Sequence, residues 1–240
     1  MVFCFKNMPT KKHYYDIISI FPQTIEPYLQ ASILGRAQTK KIVEFKAHNL
    51  RKWTHDKHHQ VDDTPYGGGP GMVMMIEPFD RAIRAIRKRG KKNRIIFTSA
   101  SGKLFEQKDA KRLSAYDQLI FLCGHYEGID ARVEKCLADE SISIGPYVLT
   151  GGELPALVII DSVVRLLPGV LGKEASLEVE SHTEHGLLEY PQYTRPATYK
   201  WKSYQTKKIE TLNVPPILLS GNHKTIEQWR NEQIKKRSQI

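Results

Sequence analysis

Residues 94–123 read RIIFTSASGKLFEQKDAKRLSAYDQLIFLC, and this stretch indicates the fold class. Its two ends, Arg94–Thr98 and Gln118–Cys123, are short, apolar and rich in β-branched or aromatic residues, which is typical of buried strands. Between them, Lys103–Tyr116 is mostly polar with a few apolar residues, as expected of a surface helix. Tyr14–Phe21 shows the same strand pattern, so the alternation of strands and helices predicts an α/β fold with a mainly parallel sheet.

A further helix is predicted at Pro155–Leu167, where apolar residues recur at helical spacing until Pro168-Gly169 ends the pattern. Asp161 and Arg165 lie four positions apart and share a face of this helix, where an ion pair is expected. The preceding stretch, Ser143–Glu153, reads SIGPYVLTGGE and is apolar but irregular, because glycine and proline interrupt it. The backbone polar groups of such a segment need partners, and a bound ligand could supply them.

The composition is that of a basic globular protein. Of 240 residues, 40% are hydrophobic and 26% are charged, and the net charge of +10 favours a polyanionic partner such as RNA, DNA or a membrane surface. A membrane span is not expected, because the most apolar stretch, Leu154–Leu171, contains Asp161 and Arg165. The three cysteines lack CxxC spacing, so a disulfide framework and a zinc ribbon are not expected, and a cytoplasmic location is predicted.

Three regions are expected along the chain. Residues 1–172 would form a large α/β domain, residues 173–190 a flexible acidic linker, and residues 191–240 a small domain with a basic helix at Thr225–Arg237. Within the first region, Arg81–Arg94 holds eight basic residues and no acidic one. This run is either a solvated helix face or a patch that attracts phosphate groups.

Two more glycine-rich stretches suggest ligand chemistry. Tyr66–Met72 reads YGGGPGM and matches neither phosphate-loop spacing, so it is either a mobile surface loop or a lid whose backbone approaches a ligand closely. The preceding Thr54–Gln60 holds three histidines with no cysteine nearby, and no metal site is expected there. Leu122–Asp130 reads LCGHYEGID and follows a predicted strand, so it presents Glu127 at the sheet edge where ligands bind α/β proteins.

Seven segments in order carry a family resemblance: DIISIFP (16–22), THDKHHQVDDTPYGGGPGM (54–72), CGHYEGID (123–130), SIGPYVLTGGELPA (143–156), IDSVVRLLPGVLG (160–172), LLEYPQYTRP (187–196) and LLSGNH (218–223). Together they resemble the bacterial tRNA (guanine-N1)-methyltransferases of the TrmD type, which belong to the SPOUT class. The resemblance implies a SPOUT-type parallel sheet with a deep trefoil knot and a small, mainly helical C-terminal domain that binds tRNA. It also implies a homodimer with shared active sites that methylates N1 of guanosine 37 in tRNA rather than DNA. The methyl donor would be S-adenosylmethionine, and a dependence on magnesium (Mg2+) is expected.

The resemblance assigns three groups of site residues. The cofactor contacts fall on Thr98, Ser99, Ala100, Gly124, Ile144, Gly145, Pro146, Tyr147, Val148, Leu149, Gly151 and Gly152. The catalytic roles fall on Glu180 as general base, on Arg165 as the group that stabilises guanine O6, and on Glu127, which orients the guanine or the arginine. The contacts to tRNA fall on His55, Lys57, His58, Tyr66 and His125.

Three positions depart from the usual family pattern. Glu180 stands where aspartate is usual, His125 where arginine is usual, and Pro146, which lacks a backbone donor, where aspartate is common. These departures keep two other hypotheses open: a SPOUT RNA-binding dimer without catalytic activity, and a SPOUT methyltransferase with a different RNA target. A nucleotide-phosphate enzyme is disfavoured, because neither phosphate-loop spacing is met. The active methyltransferase is favoured, since Arg165 and Glu127 are both present.

Overall fold

The computed structural model describes residues 11–171 and 188–238. The chain divides into two compact units, Met1–Glu174 and Ala175–Ile240. Glu180, which the family resemblance assigns as the general base, lies outside the described residues, as does most of the predicted linker at 173–190.

The strands and helices of the described residues are given in chain order. The strands are β1 (His13–Ser19), β2 (Val43–Asn49), β3 (Asp62–Asp63), β4 (Val73–Met74), β5 (Asn93–Leu104), β6 (Gln118–Cys123), β7 (Glu140–Ser143), β8 (Thr198–Lys202) and β9 (Ile209–Asn213). The helices are α1 (Glu26–Leu29), α2 (Ser32–Thr39), α3 (Ile76–Ile86), α4 (Gln107–Leu113), α5 (Glu153–Val164), α6 (Pro216–Leu219) and α7 (His223–Ser238). Short 3-10 turns occur at Pro22–Thr24 and Leu50–Trp53, and a π-helical turn occurs at Val133–Leu137.

The first unit is built on a five-stranded parallel sheet in the order β2-β1-β6-β5-β7, which confirms the predicted α/β class. The prediction for β6 matches the observed strand, and β1 ends two residues earlier than predicted. Strand β5 runs six residues past the predicted end, because its second half pairs again with β7 after a register shift between Thr98 and Lys103. Gly102 permits this pairing, since a Cβ there would lie 2.7 Å from the backbone nitrogen of Ile142.

The central strand β6 separates two apolar clusters. Its alternate residues Leu119 and Phe121 join the cluster that also contains the buried face of α5. Ile120 and Leu122 point the other way, into the cluster that contains Phe79 of α3. A strand buried on both faces has to be continuously apolar, which is why QLIFLC is readable as a parallel-sheet strand. The carboxyl ends of β5 and β6 therefore lie at one edge, between helices on both faces.

Both helix predictions in the first unit required correction at their ends. The helix predicted at Lys103–Tyr116 spans only Gln107–Leu113, because Lys103 and Leu104 belong to β5. Helix α5 begins at Glu153 and ends at Val164, so it starts two residues before Pro155. The negative charge of Asp161 raises the pKa of the Tyr28 hydroxyl.

The basic run at Arg81–Arg94 is helical only as far as Ile86, where α3 ends. Part of its charge is already engaged within the protein. Arg84 pairs with Asp80 at 2.9 Å, and Arg94 pairs with Glu140 at 2.6 Å. Lys88 and Lys92 lie over the rings of Tyr14 and Tyr116, respectively. The patch available to a phosphate group is therefore smaller than the sequence suggests.

The second unit contains an element that the sequence analysis missed. Strands β8 and β9 form an antiparallel hairpin, which precedes α6 and the predicted basic helix, observed as α7. The missed strand β8 reads TYKWK and is mostly exposed, so no apolar run signalled it. In the described residues no helix is both long and apolar enough to cross a membrane.

Candidate active site

An open cleft lies at the carboxyl ends of β5 and β6, where α/β sheets commonly bind ligands. Its empty volume is about 800 Å³, including the solvent-filled mouth. Thirteen of the residues that the family resemblance singles out line it: Thr98, Ser99, Ala100, Gly124, His125, Glu127, Ile144, Gly145, Tyr147, Val148, Leu149, Gly151 and Gly152. Three separate stretches of the sequence thus converge on one cavity.

The floor of the cleft depends on a close approach between the start of α5 and β6. The Gly152 amide donates to the Gly124 carbonyl at 2.9 Å, and the Thr98 hydroxyl donates to the Leu122 carbonyl at 3.1 Å. A Cβ on Gly152 would lie 2.8 Å from Cys123 Cα and 3.0 Å from the Gly124 nitrogen. The Thr98 hydroxyl oxygen would be closer still, at 2.2 Å, so only glycine fits at this position without a shift of the surrounding backbone.

The irregular wall formed by residues 144–151 offers unused backbone donors. The ring of Tyr147 covers Gly145, and its hydroxyl donates to the Ile144 carbonyl at 3.1 Å. Within the part of the chain that the structure describes, the amides of residues 148–151 have no backbone acceptor. This arrangement suits a ligand with hydrogen-bond acceptors on its edge. Pro146 is exposed and does not line the cleft. Its lack of a backbone N–H therefore removes no donor from the cleft wall.

Glu127 is held on a strained turn at the mouth of the cleft. Tyr126 and Gly128 on either side have φ angles of 58° and 136°. The glycine-rich loop approaches from the other side: the Glu127 amide donates to the Met72 carbonyl at 3.2 Å, and a Cβ on Gly71 would lie 2.6 Å from Oε1 of Glu127. Met72 and Gly71 therefore set the position of the carboxylate. Met72 and Glu127 are 55 residues apart, so no local sequence pattern predicts this contact.

A polar group that the sequence analysis missed lies beside the cleft. The Ser19 hydroxyl, at the carboxyl end of β1, donates to Oε1 of Glu153 at 2.5 Å. The other carboxylate oxygen and Nδ1 of His125 both lie within 3 Å of the Cβ position of Gly151. Nδ1 of His125 is buried and has no hydrogen-bond partner among the residues that the structure describes. Ser19 could have been found from its place at a strand end, and Glu153 from its place at the start of α5.

Cys123 lies near Glu153, but its thiol is a poor nucleophile. Burial, with the nearby charge of Glu153, raises the pKa of its thiol well above the ordinary value, so the thiolate is disfavoured at neutral pH. Cys123 is a packing residue of the apolar core rather than a nucleophile.

Several predicted site residues lie away from the cleft. Arg165 is at the far end of α5, and a twelve-residue helix is about 18 Å long at 1.5 Å per residue. The four tRNA-contact candidates other than His125 are all exposed and do not line the cleft: His55, Lys57, His58 and Tyr66. Their neighbour Asp56 accepts backbone hydrogen bonds from His58 and Gln60, which gives the histidine-rich segment a defined turn.

Comparison with known proteins places the chain in a family. A tRNA (guanine-N(1)-)-methyltransferase of Ruminiclostridium cellulolyticum is 50% identical over 220 residues, which span 91% of this chain and 90% of the relative. The protein of the same description from Bacillus subtilis is 49% identical over 226 residues, 94% of this chain and 88% of the relative. The family model described as tRNA (Guanine-1)-methyltransferase TrmD matches residues 14–240, and the chain belongs to that family.

Proposed function

We propose that this protein methylates N1 of guanosine 37 in tRNA, next to the anticodon, with S-adenosylmethionine as methyl donor. The observation that carries the proposal is the convergence of eleven of the twelve cofactor positions on one cleft in a chain of this family. The exception, Pro146, lies on the outside of the same segment. Such methylation would protect the reading frame during translation.

The cleft fits the proposed cofactor in shape and chemistry. Glycines at 124, 151 and 152 let the segments that form the cleft pack closely against one another, and the amides of residues 148–151 are available to the edge of an adenine ring. The bound cofactor supplies a methyl group on a sulfonium, which is an excellent leaving group. We infer that residues 143–153 are threaded through the deep trefoil knot of the SPOUT class, and the irregular backbone there accords with this.

The protein's own groups would have to activate guanine N1. That nitrogen carries a proton at neutral pH, so a base must remove it, and Glu180 is assigned this role. The negative charge that develops on O6 requires a fixed donor, and the guanidinium of Arg165 remains protonated and can donate twice in one plane. Glu127, held at the mouth of the cleft, would orient the guanine or the arginine.

The place of Arg165 supports a site shared between two subunits. A side chain at the end of α5 is too far from the cleft at its beginning to serve that same cleft, given about 18 Å of helix between them. A second α5 packed antiparallel across a twofold axis would bring Arg165 of the partner subunit near the cleft. The surface of α5 suits such packing, because Leu154 is 61% and Val158 45% exposed, and Val148 beside them is 88% exposed.

Replacing Val158 by arginine is expected to disrupt this dimer and to lower methyl transfer at least tenfold. The change puts a charge in the middle of the exposed apolar stripe of α5 while leaving the buried face intact. Light scattering after gel filtration gives the molar mass. Leu104→Arg is the matched control, because Leu104 is 51% exposed on strand β5 of the same unit and is not part of α5. A dimeric, fully active Val158→Arg protein would contradict the assignment of this face.

Gly71→Ala is expected to lower kcat by about 10- to 100-fold while leaving cofactor affinity unchanged, since a misplacement of about 1 Å can cost that much. The new Cβ would meet the Glu127 side chain and move its carboxylate. Gly68→Ala controls for backbone strain: Gly68 has a φ of 77° and Gly71 one of 80°, but a Cβ on Gly68 would meet nothing within 4 Å. Equal losses in both variants would show that strain, and not Glu127, is responsible.

The nucleic-acid partner, location and metal belong to the same proposal. The net charge of +10 and the exposed segment with His55, Lys57 and His58 accord with a tRNA substrate. A cytoplasmic location accords with the free thiols of Cys123 and Cys136. Among the described residues no cluster of three or more histidine, cysteine, aspartate or glutamate side chains could hold a metal ion, so no residue is assigned to magnesium.

Transfer of a labelled methyl group to a tRNA transcript with G36-G37 tests the proposal, with a G37→A transcript as control. Nuclease digestion of the product should yield 1-methylguanosine from the first transcript only. Binding of tRNA without transfer of the label would favour the silent RNA-binding dimer that Glu180, His125 and Pro146 keep open. Label at another nucleoside would favour a methyltransferase with a different RNA target.

A further inference from the structure

The second unit has a groove of its own, remote in sequence from the cleft of the first unit. It is formed by the segment after residue 188, by the loop before α6, and by one face of α7. Three aromatic rings, two arginines and several aliphatic side chains line it, including Tyr190, Tyr193, Arg195, Leu218, Trp229 and Arg230. Its empty volume is about 920 Å³, which includes open solvent. The family resemblance implies that the C-terminal domain binds tRNA, but neither the resemblance nor the proposed reaction gives these particular side chains a role.

The aromatic rings of the groove are open for stacking. The centroids of Tyr193 and Trp229 are 6.4 Å apart with their planes tilted by 56°, so the two rings form adjoining walls rather than a closed stack. Tyr193 is 49% exposed. On the far side, the guanidinium of Arg230 lies 4.8 Å from the centroid of Tyr190, which fixes a positive charge beside the groove.

The charge of the second unit indicates the kind of ligand that suits the groove. Residues 188–238 contain ten lysines and arginines against four glutamates, and no aspartate. The last turn of α7 alone carries Lys235, Lys236 and Arg237. A positively charged surface with aromatic rings at its centre is the usual arrangement for single-stranded nucleic acid, where the phosphates meet the basic groups and the bases meet the rings.

We propose that this groove binds one unstacked nucleobase of the substrate tRNA, at a nucleotide other than guanosine 37. The base stacks on the exposed ring of Tyr193 with its edge against Trp229, and the adjoining phosphates lie near Arg195 and Arg230. This proposal rests on the proposed function, since it takes the substrate to be tRNA. The groove would hold the RNA while the guanine is presented elsewhere, so it contributes to affinity and not to the chemical step.

Alanine at Tyr193 or Trp229 is expected to raise the KM for tRNA about tenfold with kcat and cofactor affinity retained, because base stacking contributes to binding alone. Trp229→Phe keeps a flat ring and should restore most of the affinity. Trp201→Ala is the matched control, since Trp201 lies on β8 of the same unit and does not line the groove. Circular dichroism reports folding, and Tyr193→Ala tests the proposal if Trp229→Ala fails to fold, because Tyr193 is half exposed.

A direct readout does not depend on methyl transfer. In the full-length Trp53→Phe/Trp201→Phe protein, Trp229 is the one remaining tryptophan of the three in the chain. Its fluorescence should be quenched by the tRNA transcript, and should stay quenched with the G37→A transcript, since the base concerned is not guanosine 37. Unchanged fluorescence together with an unchanged KM in both alanine variants would show that the groove binds no nucleobase of the tRNA. This conclusion would hold even if a protein partner occupied the groove. Failure of the proposed function would instead appear as absent methyl transfer by the unaltered protein.

Discussion

Arg165→Ala is expected to lower kcat for methyl transfer by about 10²- to 10³-fold, the usual loss when one donor to a developing negative charge is removed. The affinity for S-adenosylmethionine should change little, because Arg165 lies at the end of α5 and outside the residues that line the cleft. Single-turnover transfer of labelled methyl measures the first quantity, and calorimetric titration with the cofactor measures the second. A rate within twofold of the unaltered protein would remove the role assigned to Arg165.

The length of α5 makes a stronger form of this prediction possible. If the cleft of one subunit uses the arginine of the other, Arg165→Ala and Glu127→Ala proteins should complement each other when mixed. In a mixed dimer, the cleft of the Arg165→Ala chain is intact and receives its guanidinium from the Glu127→Ala chain. Equal mixing makes half of the dimers mixed, with one competent site of two, so activity should return to about a quarter of the unaltered level.

The control for complementation is subunit exchange itself. Native mass spectrometry of chains with different tags shows whether mixed dimers have formed. Mixed dimers without recovered activity would mean that both residues serve the same subunit's cleft. That result would conflict with about 18 Å of helix between Arg165 and the start of α5, and would require a large displacement of one of the two.

The first unit's fold could be predicted because its core strands are continuous apolar runs. All six residues of strand β6 are buried, so its short and largely apolar sequence was enough to predict a strand. Element ends were harder to predict, since they depend on partners. Strand β5 continues to Leu104 only because β7 lies beside it, and α3 ends at Ile86 although the basic run continues. The β8–β9 hairpin is mostly exposed, and a solvent-exposed ribbon leaves no apolar pattern in the sequence.

The candidate site was predictable to the extent that glycines mark it. At Gly124, Gly151 and Gly152, backbone or neighbouring side chains leave little or no room for a Cβ, and glycine positions are visible in the sequence. The partners of those glycines are not visible. Gly71 and Glu127 are 56 positions apart in the sequence, and Ser19 and Glu153 are 134 positions apart. Only the folded chain brings the members of each pair together.

Glu180→Gln is expected to slow methyl transfer by about 10²- to 10⁴-fold, the range in which a positioned general base contributes. Glutamine keeps the size and can still hydrogen-bond to guanine N1, but it cannot accept the proton. The matched control is Glu178→Gln, which makes the same change two residues earlier in the same acidic stretch. Equal losses in the two variants would mean that the acidic stretch acts through its charge and that the base is misassigned.

The pH dependence of the Glu180→Gln protein separates proton removal from simple loss of binding. With the carboxylate gone, only guanine that has already lost its N1 proton can react, so the residual rate should rise with pH towards the pKa of that nitrogen. In the unaltered protein the rate should depend much less on pH over the same range, because the carboxylate removes the proton within the complex. A variant whose rate is low but independent of pH between 6 and 9, roughly the accessible range, would have lost a contact rather than a base.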